Sequence, residues 1–287
     1  MEKRHTENKL NELSGKEWIK FTKSWFIHRP KSRGDKKILH PASFPESLVI
    51  EFIYFFTKKG QWVLDPFLGT GSTLLACRES RRNGVGIEIN KKYAKIAKSR
   101  LNENPEITEF IDKEKTSSQI VIQGDSRKLK KLLESKDIKE IDFCITSPPY
   151  WNQLKRNNIR QKKRKENNLD TVYSTDNERD IGNIDDYNKF IEEQKQIFDQ
   201  VYEVMKDGGY LVIITNNVFF NGKLYPLAFD TAISLSNPEK GGQWILKDEK
   251  IWCQDDKALL PLGIYNAWVG NRHHQYCLIF RKEKLLT

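Results

Sequence analysis

Residues 61–90 have the sequence QWVLDPFLGTGSTLLACRESRRNGVGIEIN, and this stretch decides the fold. The apolar run Trp62–Leu64 is typical of a short buried strand, and the glycine-containing segment 65–71 is typical of a turn. Serine and threonine at 72–73 suit the first turn of a helix, and the segment 84–89 is typical of a second strand. The stretch therefore predicts a strand–helix–strand unit of the kind that builds parallel sheets.

The same alternation continues on both sides of this unit. Helices are predicted at 44–60, 91–101 and 186–209, the last closed by its two glycines, and strands at 119–123, 141–145 and 210–217. The segment AWVGNRHHQYCLIFRKE (267–283) predicts two antiparallel strands around a tight turn. Together these elements predict an α/β fold with a mostly parallel, doubly wound sheet and an antiparallel C-terminal hairpin.

The charge of the chain favours a polyanionic partner. The 287 residues carry a formal net charge of +10, with a pI near 9.2. Residues 152–184 have little apolar periodicity, which predicts a loop, and basic side chains cluster in its first part. Clustered basic groups bind nucleic acids because they release counterions from the phosphates. The cluster consists of Lys155, Arg156, Arg160, Lys162, Lys163, Arg164 and Lys165.

Several classes of protein fit the sequence poorly. The four cysteines are scattered, without a CxxC pair, so we expect neither a disulfide framework nor a structural zinc site. His273 and His274 are neighbours that would face opposite sides of a strand, and we expect a turn there rather than a metal site. The polar, charged start of the chain does not resemble a signal peptide, and no apolar run approaches the ~20 residues that span a bilayer. We expect a cytoplasmic protein without a metal or a membrane partner.

Polar and glycine residues at the predicted strand ends suggest a cofactor site. Open α/β sheets bind ligands at the carboxyl ends of their strands, and an acidic residue after the second strand typically holds a ribose. Glu88 occupies that place, and Asp125 ends the third strand, where a carboxylate can accept a hydrogen bond from an adenine amine. The glycine spacing differs from GxGxxG, and there is no GxxxxGK[ST], which argues against nicotinamide nucleotides and phosphate-loop NTPases.

The segment Thr146–Trp151, TSPPYW, follows the strand IDFCI and is the second group of candidate functional residues, after those of the predicted cofactor site. Consecutive prolines fix the backbone and remove two amide donors, so the carbonyl groups are held ready to accept hydrogen bonds. The Ser147 side chain and the Pro148 carbonyl could hold an aromatic amine while Tyr150 stacks on the base. Such a site requires positioning and electrostatics, without a metal or a covalent nucleophile.

Three of these motifs, DPFLGTGST, GIEIN and TSPPYW, resemble the signatures of S-adenosylmethionine-dependent amino-methyltransferases that act on DNA. The segment HPASFPESLVIEFI (40–53) is similar to that family's upstream cofactor-contacting segment. The resemblance covers about residues 36–152. It implies a Rossmann-like methyltransferase fold, S-adenosylmethionine as cofactor and double-stranded DNA as substrate, with the target base flipped out of the duplex.

The resemblance also implies roles for individual residues. The predicted catalytic residues are Ser147, Pro148, Pro149 and Tyr150. The predicted cofactor-binding residues are Pro41, Phe44, Asp65, Pro66, Phe67, Gly69, Gly71, Glu88 and Asp125. Trp151 either stacks on the base or packs internally, and together with the seven basic residues of the loop it completes the predicted DNA contacts. Cytosine C5 methylation fits poorly, because Cys144 lies inside a strand, upstream of the prolines, and is expected to be a core residue.

In the resembling family, a Ser-Pro-Pro-Tyr turn goes with cytosine N4 and an Asp-Pro-Pro-Tyr turn with adenine N6, so Ser147 implies cytosine. Adenine N6 methylation, RNA methylation and a non-catalytic DNA-binding role stay open as alternatives. The family also implies a nucleoid-associated protein that partners a restriction endonuclease or another defence system.

The predicted organisation is an N-terminal basic and aromatic arm at 1–35 and a methyltransferase catalytic domain at 36–287. We expect the aromatic residues of the arm to anchor it to the domain. Bases are expected to be recognised jointly by the loop 152–184 and the segment 219–256.

Overall fold

The computed structural model describes residues 7–29, 44–102, 117–152 and 179–283. The helices are α1 Gly15–Phe21, α2 Glu46–Phe56, α3 Ser72–Glu79, α4 Lys91–Asn102, α5 Leu129–Glu134, α6 Tyr187–Val204 and α7 Leu227–Ser236. The strands are β1 Trp25–Ile27, β2 Trp62–Asp65, β3 Asn83–Glu88, β4 Gln119–Gln123, β5 Ile141–Thr146, β6 Met205–Thr215, β7 Val218–Phe220, β8 Lys223–Tyr225, β9 Ile245–Cys253 and β10 His274–Arg281.

Eight of the described strands form one sheet in the order β1-β9-β10-β6-β5-β2-β3-β4. Only β10 runs against its neighbours β6 and β9, while the other pairings within this sheet are parallel. The chain proceeds outward from β2 to β3 and β4 on one side, and from β5 to β6 on the other. The switch point between β2 and β5 is therefore where a doubly wound sheet binds its ligand.

Helices cover both faces of this sheet. Successive residues of a strand face opposite sides, so a strand made of consecutive apolar residues must be covered on both. Val63 packs with α2 and α3 on one face, whereas the next residue, Leu64, packs with α5, α6 and α7 on the other. The predicted α/β architecture, doubly wound and mostly parallel, is therefore confirmed.

The N-terminal arm is anchored to the domain, as expected from its aromatic residues. Phe21 stacks on Phe55 of α2 with ring centroids 4.2 Å apart, and Trp18 lies 4.9 Å from the same ring. Strand β1 then pairs with β9 at the edge of the sheet. Of the two aromatic residues of β1, Phe26 packs against the hydrophobic cluster around α2, whereas Trp25 stays partly exposed.

Two predicted boundaries are wrong. The helix predicted to close at Gly208 and Gly209 ends at Val204, and both glycines lie inside β6. Gly208 has a φ of 82°, and the pairing of β6 with β5 is irregular there, so glycine permits a bulge in the strand. The segment 267–273 is a loop rather than a strand, and the antiparallel C-terminal pair is β9 with β10, which lies inside the sheet.

Candidate cofactor and target-base site

A cleft opens at the carboxyl ends of β2, β3 and β5. We call it the switch-point cleft. The space between its walls, including the solvent at its mouth, is about 640 Å³. It is lined by Pro66, Phe67, Gly69, Ile87, Glu88, Ile89, Tyr93, Asp125, Ser126, Ser147, Pro148, Pro149, Arg179, Asp180, Ile181 and Ile197.

The glycine loop after β2 approaches Glu88 through its backbone. Gly69 and Gly71 have φ values of 57° and 90°, a region that favours glycine. A Cβ atom on Gly71 would also lie 3.0 Å from the Cβ of Ala97. The amide of Gly69 donates a 2.7 Å hydrogen bond to one carboxylate oxygen of Glu88, and Asn90 N–H donates one of equal length to the other.

Glu88 is only 8% exposed. Burial raises the pKa of Glu88 to about 8, and the nearby Asp180 and Asp65 carboxylates add to the rise, although the two backbone donors oppose it. Each oxygen keeps a lone pair beyond the one bonded to the backbone. Glu88 can therefore accept hydrogen bonds from vicinal hydroxyl groups of a ligand.

Asp125 lines the cleft and is held by a neighbouring arginine. Both carboxylate oxygens accept hydrogen bonds from Arg127, at 2.9–3.2 Å. Burial acts to raise the pKa of Asp125, but Arg127 outweighs it and lowers the pKa. Arg127 also contacts Glu193 and the carbonyl of Arg179. It therefore fixes the outer wall of the cleft.

Asp65 does not line the cleft, in contrast to the role predicted for it. It is fully buried, and its carboxylate accepts hydrogen bonds from the hydroxyls of Thr73 and Thr146 and from the amide of Phe67. Burial nevertheless raises the pKa of Asp65 to about 6. We therefore correct its role from ligand contact to joining the glycine loop to the turn that begins at Ser147.

Of the other residues predicted to bind the cofactor, some line the switch-point cleft and others lie away from it. Pro66, Phe67 and Gly69 line the cleft, whereas Gly71 and Phe44 do not. Gly71 instead precedes the first turn of α3, and Phe44 packs with the hydrophobic cluster around α2. Pro41 lies outside the described residues.

The turn Ser147–Tyr150 faces the same cleft through Ser147, Pro148 and Pro149, whereas Tyr150 is buried and does not line it, so the stacking predicted for Tyr150 is not seen in this arrangement. The Tyr150 hydroxyl donates to Oε1 of Gln275 at 2.9 Å, and Oγ of Ser147 lies 3.1 Å from that hydroxyl. When the phenolic proton is directed to Gln275, or to the Ile214 carbonyl 3.4 Å away, the Ser147 hydroxyl can donate to Tyr150. The lone pairs of Ser147 are then left to accept.

The sequence left two roles open for Trp151, stacking on the target base or internal packing. In the structure it packs internally. It is 4% exposed and lies against Tyr187, Phe220 and Tyr225, at centroid distances of 4.4–5.5 Å. Its indole N–H donates to the carbonyl of Asp185. A ring enclosed in this way offers no face to a nucleobase, so the predicted DNA contact is corrected. The other predicted DNA contacts, namely Lys155, Arg156, Arg160, Lys162, Lys163, Arg164 and Lys165, lie outside the described residues.

The segment 219–256 is built into the domain core, and its predicted part in base recognition stays a prediction. It supplies β8, α7 and β9, and its buried residues, such as Leu227, Leu235 and Trp252, belong to the hydrophobic clusters of the domain. Its capacity to contact bases is therefore limited to its exposed positions.

Sequence reasoning missed several residues of the site. Arg179, Asp180 and Ile181 form a wall of the cleft, and Gln275, on β10, accepts a hydrogen bond from Tyr150 of the Ser147–Tyr150 turn. Their contacts join residues far apart in the chain. The one local signal was the pattern at Asp180, whose side chain accepts a hydrogen bond from Gly182 N–H and caps a 3-10 turn.

No group of histidine, cysteine and acidic side chains suited to a metal ion occurs among the described residues. Within the same ranges, no helix is long and apolar enough to cross a membrane.

The match to a protein family extends over most of the sequence. A family model described as DNA methylase, covering N6 and N4 enzymes, matches residues 1–99 and 141–286. The chain belongs to the DNA methylase family. The cofactor of this family is S-adenosylmethionine, as predicted from the sequence.

Individual relatives match this DNA methylase over shorter regions. The type II methyltransferase M.HpaI of Haemophilus parainfluenzae is 43% identical over 63 residues, which are 22% of this chain and 20% of the relative. M.BglI of Bacillus subtilis is 36% identical over 112 residues, or 38% of this chain and 30% of the relative. The matched regions thus span about a fifth to a third of these relatives.

Among solved structures, a SAM-dependent methyltransferase from Methanosarcina mazei superposes on this DNA methylase with a TM-score of 0.48 and 11% identity. The superposition covers 81% of this chain and 97% of that one.

The switch-point cleft fits S-adenosylmethionine. Glu88 has acceptors for two ribose hydroxyls, and apolar walls formed by Ile89, Tyr93 and Ile181 suit a flat purine. Three acidic side chains, Glu88, Asp125 and Asp180, line the cleft beside Arg179, the lone cation among the lining residues described. Such a lining disfavours phosphates and suits a ligand that carries a sulfonium and an ammonium group.

Proposed function

We propose that this protein transfers a methyl group from S-adenosylmethionine to the exocyclic N4 amine of a cytosine flipped out of double-stranded DNA. One observation carries the proposal: Ser147, Pro148 and Pro149 line the same cleft as Gly69 and Glu88. The residues suited to hold a cofactor and those suited to hold an amine thus face one space. The family supports a DNA substrate, and Ser147 supports cytosine.

The turn would hold the target amine through acceptors. The hydrogen-bond chain from Ser147 to Tyr150 to Gln275 directs the Ser147 proton toward the tyrosine. The Ser147 oxygen and the Pro148 carbonyl can then both accept from an N–H₂ group. An amine held only by acceptors conjugates less with its ring, so its lone pair is available for attack. S-adenosylmethionine, when bound, would supply the electrophilic methyl group: the nitrogen–methyl bond would form as the methyl–sulfur bond breaks, and the amine would release one proton to solvent.

A base within a duplex must leave the stack to reach this turn. The basic residues between Lys155 and Lys165 follow the turn closely in sequence, so we propose that they bind the surrounding phosphates. The net charge of +10 supports a polyanionic partner such as DNA. A restriction endonuclease or another defence partner remains a proposal from the sequence resemblance.

The proposal is tested by following transfer of a labelled methyl group from S-adenosylmethionine to duplex DNA and to RNA of matched sequence. We expect label in DNA, and we expect Ser147→Ala to reduce the rate at least about a hundredfold without changing cofactor affinity by calorimetry. Glu88→Ala should instead weaken cofactor binding. Label in RNA alone would contradict the proposal, as would cofactor binding without any transfer to DNA.

A further inference from the structure

The loop between β9 and β10, residues 254–273, exposes an unusual set of large apolar side chains. We call it the edge loop. Tyr265 is fully exposed, Trp268 is 94% exposed and Leu259 is 77% exposed. Ile264 is more than half exposed. Exposed aromatic residues that cluster on one loop mark a contact surface.

The edge loop has a defined internal structure. The Asn271 side chain exchanges two 2.9 Å hydrogen bonds with the backbone N–H and carbonyl of Leu260, which closes the loop. Within it, the carbonyl of Gly263 accepts from Asn266 and Ala267. Gly263 has a φ of 64°, and a Cβ there would lie 2.2 Å from the carbonyl oxygen of Ala267. The polar backbone is thus bonded internally while the large side chains point outward.

The stem of the edge loop lies beside the catalytic turn. Cys253 pairs with His274, and Tyr276 pairs with Thr215 at the carboxyl end of β6. The loop therefore projects from the same edge of the sheet as Ser147. One residue past its stem, Gln275 accepts the hydrogen bond of Tyr150. A duplex that delivers a base to the turn would therefore lie at the same edge of the sheet as this loop.

We propose that the edge loop enters the duplex during base flipping, with Tyr265 and Trp268 stacking against the bases that flank the vacated position. This inference rests on the proposed function. Flat aromatic side chains stack on any base, and apolar wedges stabilise unstacked steps in duplex DNA. Arg272, at the stem, is placed to contact the adjacent phosphates. We favour DNA over a second copy of the chain as the partner of this loop, because a copy seated there would cover the edge through which the base enters.

The experiment compares Tyr265→Ala/Trp268→Ala with Ile19→Ala, a control that removes an exposed apolar side chain on α1. Both variants alter exposed positions, and thermal melting checks that they fold. Affinity is measured by anisotropy for a paired duplex and for a duplex with an abasic site at the target position. We expect the double variant to lose about tenfold in affinity for the abasic duplex, and the control to lose nothing.

A second readout separates this inference from the proposed function. Trp268 fluorescence, obtained as the difference between wild type and Trp268→Phe, should be quenched when the abasic duplex binds, whether or not methyl transfer occurs. Unquenched Trp268 together with unchanged affinity would overturn the inference even if DNA is methylated. The inference would also be overturned if the double variant altered only the oligomeric mass. Quenching without any methylation would leave the inference standing and contradict the proposed function.

Discussion

The hydroxyl of Thr146 donates a 2.6 Å hydrogen bond to the buried carboxylate of Asp65. Thr146 is the last residue of β5, directly before Ser147, and Asp65 is the last residue of β2, directly before the glycine loop. The other oxygen of Asp65 accepts from Thr73 in α3. One carboxylate thus fixes the spacing between the loop on the cofactor side and the turn on the target-base side.

The Asp65 link predicts a pH-dependent stability. Folding raises the pKa of Asp65 from 3.8 to about 6 by burial, so the folded state binds the proton more tightly. Protonation of Asp65 therefore stabilises the folded state fully below pH 4, and this stabilisation, about 3 kcal/mol, is lost as the pH rises through 6. Urea unfolding of wild type and Asp65→Asn should show a difference in unfolding free energy that falls over this range. A difference that does not depend on pH would contradict the assignment.

Glu88 predicts a pH-dependent affinity for the cofactor. Its pKa is raised to about 8, so below that pH it is protonated and loses an acceptor for the ribose. Calorimetry with S-adenosylhomocysteine should show wild-type affinity falling about tenfold from pH 8 to 6.5. Glu88→Gln should bind more weakly, with a flatter profile. The amino group of the ligand titrates equally with both proteins, so parallel profiles would exclude Glu88 as the titrating group.

Gln275 is predicted to act as a positioning residue for the catalytic turn. Gln275→Leu removes the nearer acceptor of the Tyr150 hydroxyl, at 2.9 Å against 3.4 Å for the Ile214 carbonyl, and frees that proton to compete for Ser147. We expect kcat to fall about tenfold, equivalent to one hydrogen bond of about 1.4 kcal/mol, while KM for cofactor stays unchanged. Gln275→Glu keeps an acceptor and should restore most of kcat. Equal losses in both variants would indicate a packing role instead.

The basic residues of the loop 152–184 are predicted to bind phosphates. Neutralising Lys162, Lys163, Arg164 and Lys165 should make the dependence of log Kd on log salt shallower by about 0.9 for each phosphate that the loop no longer neutralises. Cofactor affinity should not change. The matched control neutralises four lysines near the opposite edge of the sheet: Lys58, Lys59, Lys136 and Lys139. Equal salt slopes for wild type and the loop variant would contradict the prediction.

The sequence was sufficient to predict the central part of the fold. Strand–turn–helix order and apolar runs located β2 to β5, and parallel strands necessarily bring their carboxyl ends to one edge. Glu88 and Ser147 therefore face one cleft although 58 residues separate them in the chain. For these two residues, the sequence pattern of strands and helices and the geometry of a parallel sheet predict the same placement.

Other features depend on contacts that local pattern does not contain. Asp65 has the same place in the chain as a ligand-binding acid, and only the positions of Thr73 and Thr146 show that its oxygens are already bonded. Gln275 reaches Tyr150 because β10 lies between β6 and β9. Gly208 resembled a helix stop, yet its positive φ serves a bulge within β6. Each of these depends on pairing between distant segments.

The most direct test of the proposed function is to identify the methylated nucleoside. Mixed-sequence duplex DNA is incubated with the protein and S-adenosylmethionine, digested to nucleosides and analysed by mass spectrometry, with Ser147→Ala/Tyr150→Ala as the blank. We expect N4-methylcytosine in the wild-type digest and none in the blank. N6-methyladenine would contradict the assignment of Ser147 to cytosine, and a digest without any methylated base would contradict the proposed activity on DNA.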